Sequence, residues 1–191
     1  MHSSPSSVQP SRPPRPISPR RAKADTVRPV GIYGYYLRVT PEELNRAQAD
    51  DGWAREFVYD RCRSGGPLDE RWFGVDKAWE GIFYVLAQAG LPHQLIDGRV
   101  LISPAYGEPP TPRYFDTDEV AAIARFLALQ PFAELVVAAD GETAPGAGVY
   151  RPEGECDDLY WKFITQRAVG LPEFFAEAAK AGDAVVLHLA F

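Results

Sequence analysis

Six side chains have the types that a binding pocket or a simple active site requires. Asp76 and Lys77 stand together just ahead of Trp79, and Tyr106, Arg113, Tyr114 and Tyr150 lie in or beside stretches rich in Gly and Pro. A carboxylate beside an ammonium supplies an acid and a base, a guanidinium holds an anion through its planar fork, and tyrosines wall a site while offering hydroxyls. If the loops fold together, Arg113 takes the anionic part of a ligand and the three tyrosines line a space facing Asp76 and Lys77. Each residue also has a plainer use. Asp76 caps a helix, Lys77 is a solvated charge, Arg113 pairs with an acidic neighbour, and the aromatics pack on helix ends.

Other chemistries find little footing. Nucleophilic catalysis needs a nucleophile beside a base, yet from Val30 onward there are only His93 and His188 and no Gly-x-Ser-x-Gly. His188 sits in a strand of small apolar residues, where a hydrogen-bonded packing role is expected. The segment Gly141 to Gly148 lacks the Lys-Ser/Thr ending of a phosphate loop. Asp157 and Asp158, near Glu153 and Glu155, read as an acidic helix start that favours the helix dipole rather than as a cation site. Cys62 and Cys156 are far apart and belong to no Cys-x-x-Cys, so two reduced, inert thiols are expected. The sequence calls for no metal and no cofactor.

Charge divides the chain near residue 30. The first 29 residues hold seven Pro, six Ser and six Lys/Arg against one Asp, a composition that cannot bury enough apolar surface to offset its ordering entropy, so a disordered tail is expected. Residues 30–191 carry 14 Lys/Arg and 25 Asp/Glu, a formal charge of 14 − 25 = −11, and the tail's 6 − 1 = +5 restores the −6 of the whole. An acidic body repels phosphates, and the basic tail has no aromatics to stack on bases, so specific nucleic-acid binding is not expected. No apolar run approaches the roughly 18 to 20 residues that span a bilayer, and no secretion signal opens the chain. No membrane association and a cytoplasmic location are expected.

The elements that must position these side chains are read from periodicity. Ile32 to Val39 alternates as a strand with Tyr33, Tyr35, Leu37 and Val39 on the better core face. Thr40, Pro41 and Glu43 then spell a capping box for a helix to about Ala49, and a second helix carries Trp53 and Phe57 one turn apart. A third helix, about Val75 to Ala89, aligns Trp79, Ile82, Phe83 and Leu86 on its core face. Asp97-Gly98 predicts the turn of a hairpin between Gln94–Ile96 and Arg99–Ile102. Asp116 and Glu119 cap a fourth helix bearing Val120, Ile123, Ala124 and Leu127, and Pro131 opens a short fifth. A sixth, about 157–168, places Leu159, Phe163 and Ile164 together; Gly170 breaks it before a seventh from Glu173 to Ala181. The closing strand alternates through Val185, Leu187 and Leu189. Neither terminal strand can remain a lone edge, so a helix-rich α+β single domain over residues 30–191 is expected, with a small sheet that includes its N-terminal and C-terminal strands.

The order of Gly34-Tyr35-Tyr36, Asp76-Lys77-Ala78-Trp79, Arg113-Tyr114 before an acidic-capped helix, Tyr150 with Pro152, and Gly182-Asp183-Ala184 resembles the YfbM-like family of bacterial proteins, a family of unknown function. The resemblance covers residues 31 to 191. Proteins similar to it often place His around the third helix, where Glu80 and Phe83 stand here, so His-dependent chemistry does not carry over. Val30-Gly31-Ile32 also looks like the Met-Gly-Ile with which such domains open, so translation starting at Val30 is an expectation of the resemblance.

These readings favour a non-enzymatic cytoplasmic module that binds another protein, for instance an antidote whose acidic surface steers it onto a basic toxin or nuclease. The alternative is a small-ligand-binding protein or enzyme whose pocket is formed by the six residues above.

Overall fold

The computed structural model describes residues 32–64, 70–102, 111–129, 131–139 and 157–190. The expected tail, Tyr106, Tyr150 and the acidic run Glu153 to Glu155 lie outside the described residues, as does the side chain of Cys62.

Five antiparallel strands form one sheet in the order β2-β1-β5-β4-β3. The first strand, β1 (Tyr33–Val39), pairs along its whole length with the last, β5 (Ala184–Ala190), from Tyr33 opposite Ala190 to Val39 opposite Ala184. The α+β expectation therefore holds, with both terminal strands in the sheet. Both flanks of this central pair are partly filled, by β2 (Trp72–Asp76) along Gly34 to Leu37 of β1 and by β4 (Arg113–Phe115) along Val185 to Leu187 of β5, which satisfies the backbone groups there. The two-residue β3 (Arg99–Val100) closes the far edge.

Helices cover both faces. On one lie α1 (Pro41–Ala49) and α2 (Asp51–Ser64), packed over Leu37, Val39, Ala184 and Val186. On the other lie α3 (Trp79–Gln88), α4 (His93–Asp97), α5 (Thr117–Leu129), α6 (Phe132–Ala138), α7 (Asp157–Ala168) and α8 (Leu171–Ala181), whose core includes Tyr36, Phe115, Phe175, Val185 and Leu187. The face with Tyr33, Tyr35, Leu37 and Val39 is thus not the principal core face. Tyr36 on the opposite face is as buried as Leu37, because a central strand between two helical layers has no solvent side.

Local signals explain two of the helix starts. Thr40 accepts from the Glu43 N–H while Glu43 accepts from the Thr40 N–H, completing a capping box at α1. Asp116 and Glu119 make the same reciprocal pair at α5, each bond 2.9 Å.

Five further expectations require correction. Val75 and Asp76 do not open the third helix; they end β2, whose Trp72-Phe73-Gly74-Val75-Asp76 run is too short to show alternation clearly. Gln94 to Ile96 form no hairpin arm. They belong to α4, because Gly98 at φ 67° continues the chain out of a helical turn rather than into a two-residue hairpin. Arg113 to Phe115 are a strand, β4, and not only a lead-in to a helix. The buried stripe of α7 is Tyr160, Ile164 and Ala168, leaving Leu159 exposed, since α7 turns that side toward α3. There the helices approach so closely that a Cβ on Gly81 would lie 2.0 Å from Ile164 Cδ1. Trp79 likewise sits at the margin of the core rather than within it, with its indole N–H donating to the Ile32 carbonyl at 3.1 Å.

Candidate functional site

Asp76 occupies a turn that most residues avoid. Its φ of 55° is the only positive value at a non-glycine among the described residues. An aspartate tolerates this region better than most residues because its short carboxylate can bond locally, and here Oδ1 accepts from the Lys77 N–H at 2.8 Å. Oδ2 pairs at 3.0 Å with Arg167 from the end of α7. Lys77 projects its ammonium over the Tyr33 ring, 5.4 Å from the centroid. Asp76, Lys77, Arg167 and Tyr33 therefore share one corner where β2 turns into α3. Asp76 is not the cap of that helix: Ala78 occupies the N-cap position and makes no side-chain cap bond.

Arg113 and Tyr114 lie elsewhere. They belong to β4, separated from β2 by both central strands. Adjacent residues on a strand point to opposite faces. Arg113 shares the face of Leu187, whereas Tyr114 packs with Val186 beneath α1 and α2. The Arg113 guanidinium donates to the carbonyls of Asp97 and Gly98, 3.3 Å each, which is a backbone clamp and not the acidic pairing of the plainer reading. The acidic partners go to Arg99, which lies over the Tyr114 ring at 4.7 Å and bonds both Asp116 and Glu119. Burial tends to raise the Asp116 pKa, but the Glu119 N–H and the Arg99 charge outweigh it and hold the carboxyl below its usual range. Of the six sequence candidates, the fold brings Asp76 and Lys77 together, places Arg113 and Tyr114 apart from them, and leaves Tyr106 and Tyr150 outside the described residues.

A second concentration of polar chemistry lies on the inner face under α2. His188 is 3% exposed, and neither ring nitrogen has a hydrogen-bond partner; Trp72 Nε1 is equally buried and unpartnered. Tyr35 stands between them, opposite His188 on β5 and stacked on Trp72 with ring centroids 4.8 Å apart. The Tyr59 ring of α2 meets His188 edge-on at 5.2 Å. Burial drives the imidazole pKa down from 6.5 to about 4, so His188 is neutral at physiological pH. The packing role read from its strand neighbours is present, but the expected hydrogen bond is not. Arg167 and Tyr59 carried no sequence signal, since each meets its partner only through tertiary contact.

No grouping of three or more His, Cys, Asp or Glu among the described residues is arranged to hold a metal ion. No single helix among them is long and apolar enough to cross a membrane.

A family model, described as a domain of unknown function (DUF1877), matches residues 30–188. The chain belongs to the DUF1877 family. Among solved structures it is similar to YfbM from Escherichia coli, a protein of unknown function, at 13% identity and a TM-score of 0.54, covering 83% of this chain and 99% of that one. At that identity the likeness shows a shared fold. No curated protein matches the chain. The family model and the solved structure support the YfbM-like resemblance carried by the Gly34, Asp76 and Gly182 motifs.

Proposed function

We propose that this DUF1877 protein works in the cytoplasm by binding a basic protein partner rather than by catalysis. The observation that carries this reading is the formal charge of 14 − 25 = −11 on residues 30–191. A field of one sign accelerates encounter with an oppositely charged surface and rejects like-charged partners. An antidote that masks a basic toxin or nuclease is the concrete form. The test is stopped-flow association of the full chain with a basic protein co-purified from the native host. The association rate is expected to fall steeply between low and physiological salt while dissociation changes little. A salt-independent association rate would overturn the reading.

A second reading, small-ligand binding, is favoured by the corner at Asp76. A non-glycine held at positive φ stores backbone strain of the kind that gathers at functional sites. Two cationic side chains, Lys77 and Arg167, flank it. A thermal-shift screen of small anions checks this, since a ligand of the native state raises its melting temperature. A stabilising anion whose effect survives Lys77→Gln would remove the corner from consideration.

A further inference from the structure

Among the described residues, the α1/α2 layer is the one with a histidine sealed inside it. His188 lies on the face of β5 that α2 covers, with Tyr35 opposite on β1 and the Tyr59 edge above. Along α2, the charged residues around Tyr59 are Arg55, Glu56, Asp60 and Arg61, all half-buried or exposed, and none of them pairs with the imidazole. On β2 the neighbour beyond Tyr35 is the uncharged Trp72, and on β4 the residue sharing this face is Tyr114. The described surroundings of His188 are therefore aromatic and aliphatic, with no carboxylate to receive a second proton's charge.

We propose that His188 makes this layer a proton-operated flap: mild acid charges the imidazole, and α2 lifts from the sheet while α3 and α5 to α8 stay folded on the opposite face. An imidazolium needs an acceptor at each nitrogen, and within the closed layer the described residues offer neither. Water is the available acceptor, and Tyr59, 36% exposed, is the side chain whose displacement admits it. The other end of the layer is fastened differently. Glu43 of α1 bonds Arg71, and Arg71 in turn donates from two guanidinium nitrogens to the Arg38 carbonyl of β1, at 3.0 and 2.8 Å. Burial tends to raise the Glu43 pKa, but the Arg71 hydrogen bond, the Thr40 N–H and the neighbouring arginine charges pull it below the usual range. The α1 end thus stays pinned at a pH where the His188 end is released, which gives the flap a hinge. The depressed imidazole pKa places the transition between the ordinary histidine value and moderate acid.

Hydrogen exchange of the full chain, read by mass spectrometry at pH 7 and pH 4.5 and corrected for the intrinsic rate, tests this. The α2 amides are expected to lose protection by on the order of a hundredfold, tenfold for each pH unit below the unfolded histidine pKa, while α5 and α8 hold theirs. His188→Leu and the polar, non-titrating His188→Gln should both abolish the pH response, and if the first fails to fold the second decides. Simultaneous loss in α2, α5 and α8, or an unchanged pH response in the folded variants, would overturn the proposal. So would an imidazole that titrates in the folded chain near pH 6.5 by NMR.

Discussion

The two faces of the sheet are held by different means. Under α3 and α5 to α8 the core is large and aromatic: Tyr36, Phe174 and Phe175 meet tilted or edge to face, and Phe115 joins Phe175 at 6.4 Å. Under α1 and α2 it is small and aliphatic, built on Leu37, Val39, Leu44, Ala47, Ala54 and Val58. Its largest rings lie at the margin. Trp53 stacks on Phe57 at 4.6 Å, with Arg46 over one and Arg61 over the other. Burial of apolar area sets the larger share of folding energy, so the first face fixes whether the domain folds and the second fixes how tightly one side is closed. A polar event inside the thin layer competes with a smaller opposing term than it would in the thick one.

The sharpest way to break this contrast is a pair of truncations. Phe175→Ala is expected to cost about 3 to 5 kcal/mol, because a fully buried phenylalanine loses its transfer energy and leaves a cavity. Phe57→Ala, at a half-buried ring, should cost markedly less in the same urea titration. Equal losses would mean that the two layers contribute alike. Next in size is the response to acid. His188 has a folded pKa of about 4 against 6.5, so above pH 6.5 it costs nothing. As the pH falls from 6.5 to 4 the unfolded chain binds a proton that the closed layer refuses, and the closed form loses about 3 kcal/mol of stability, which is the upper bound on the global loss if the lifted flap takes up the proton. Urea midpoints at pH 7 and pH 4.5 for the wild type and His188→Gln isolate that share, because the carboxylates titrate in both.

The two capping boxes give a smaller, matched comparison. Thr40→Ala on α1 and Asp116→Ala on α5 each remove a cap worth about 1 kcal/mol. The Asp116 change should cost somewhat more, because it also strips a partner from Arg99. Removing residues 1–29 is expected to leave the melting temperature of both layers unchanged, since that composition has no apolar face to contribute. A drop of several degrees would show that the segment supports one of them.

Elements with local signals could be read from the sequence. Thr40-Pro41-x-Glu43 and Asp116-x-x-Glu119 announce helix starts because the bonds that stabilise them lie within four residues. The alternation of residues 33–39 and 184–190 announces strands, and since neither can stay a lone edge both belong in one sheet; which strand each pairs with is set by the fold. The Asp97-Gly98 turn signal failed locally: the Leu95 N–H donates to the Pro92 carbonyl and the Gly98 N–H to the Gln94 carbonyl, so Gly98 ends a short helix instead of turning a hairpin. The rest of what failed was non-local: the five residues of β2 are strand because Tyr35 to Leu37 pair with them. The candidate site was legible only in part for the same reason. Asp76 and Lys77 are neighbours in sequence and remain so in space, whereas the ion pair with Arg167 spans most of the domain. Nothing local marks His188 as a ring without hydrogen-bond partners; that follows from Tyr59 and Tyr35 closing over it.

The register that pairs Tyr33 with Ala190 also sets an order of events during synthesis. The first strand leaves the ribosome early and then waits, because the neighbour that fills the centre of the sheet is the last element of the domain to be made. Until β5 arrives, β1 can pair only with β2, and β4 has no strand to join it to that pair. Contacts so distant along the chain slow folding and prolong exposure of unpaired edges. The nascent domain therefore spends nearly its whole translation with an open sheet, and the sheet closes only once residues 184–190 have emerged.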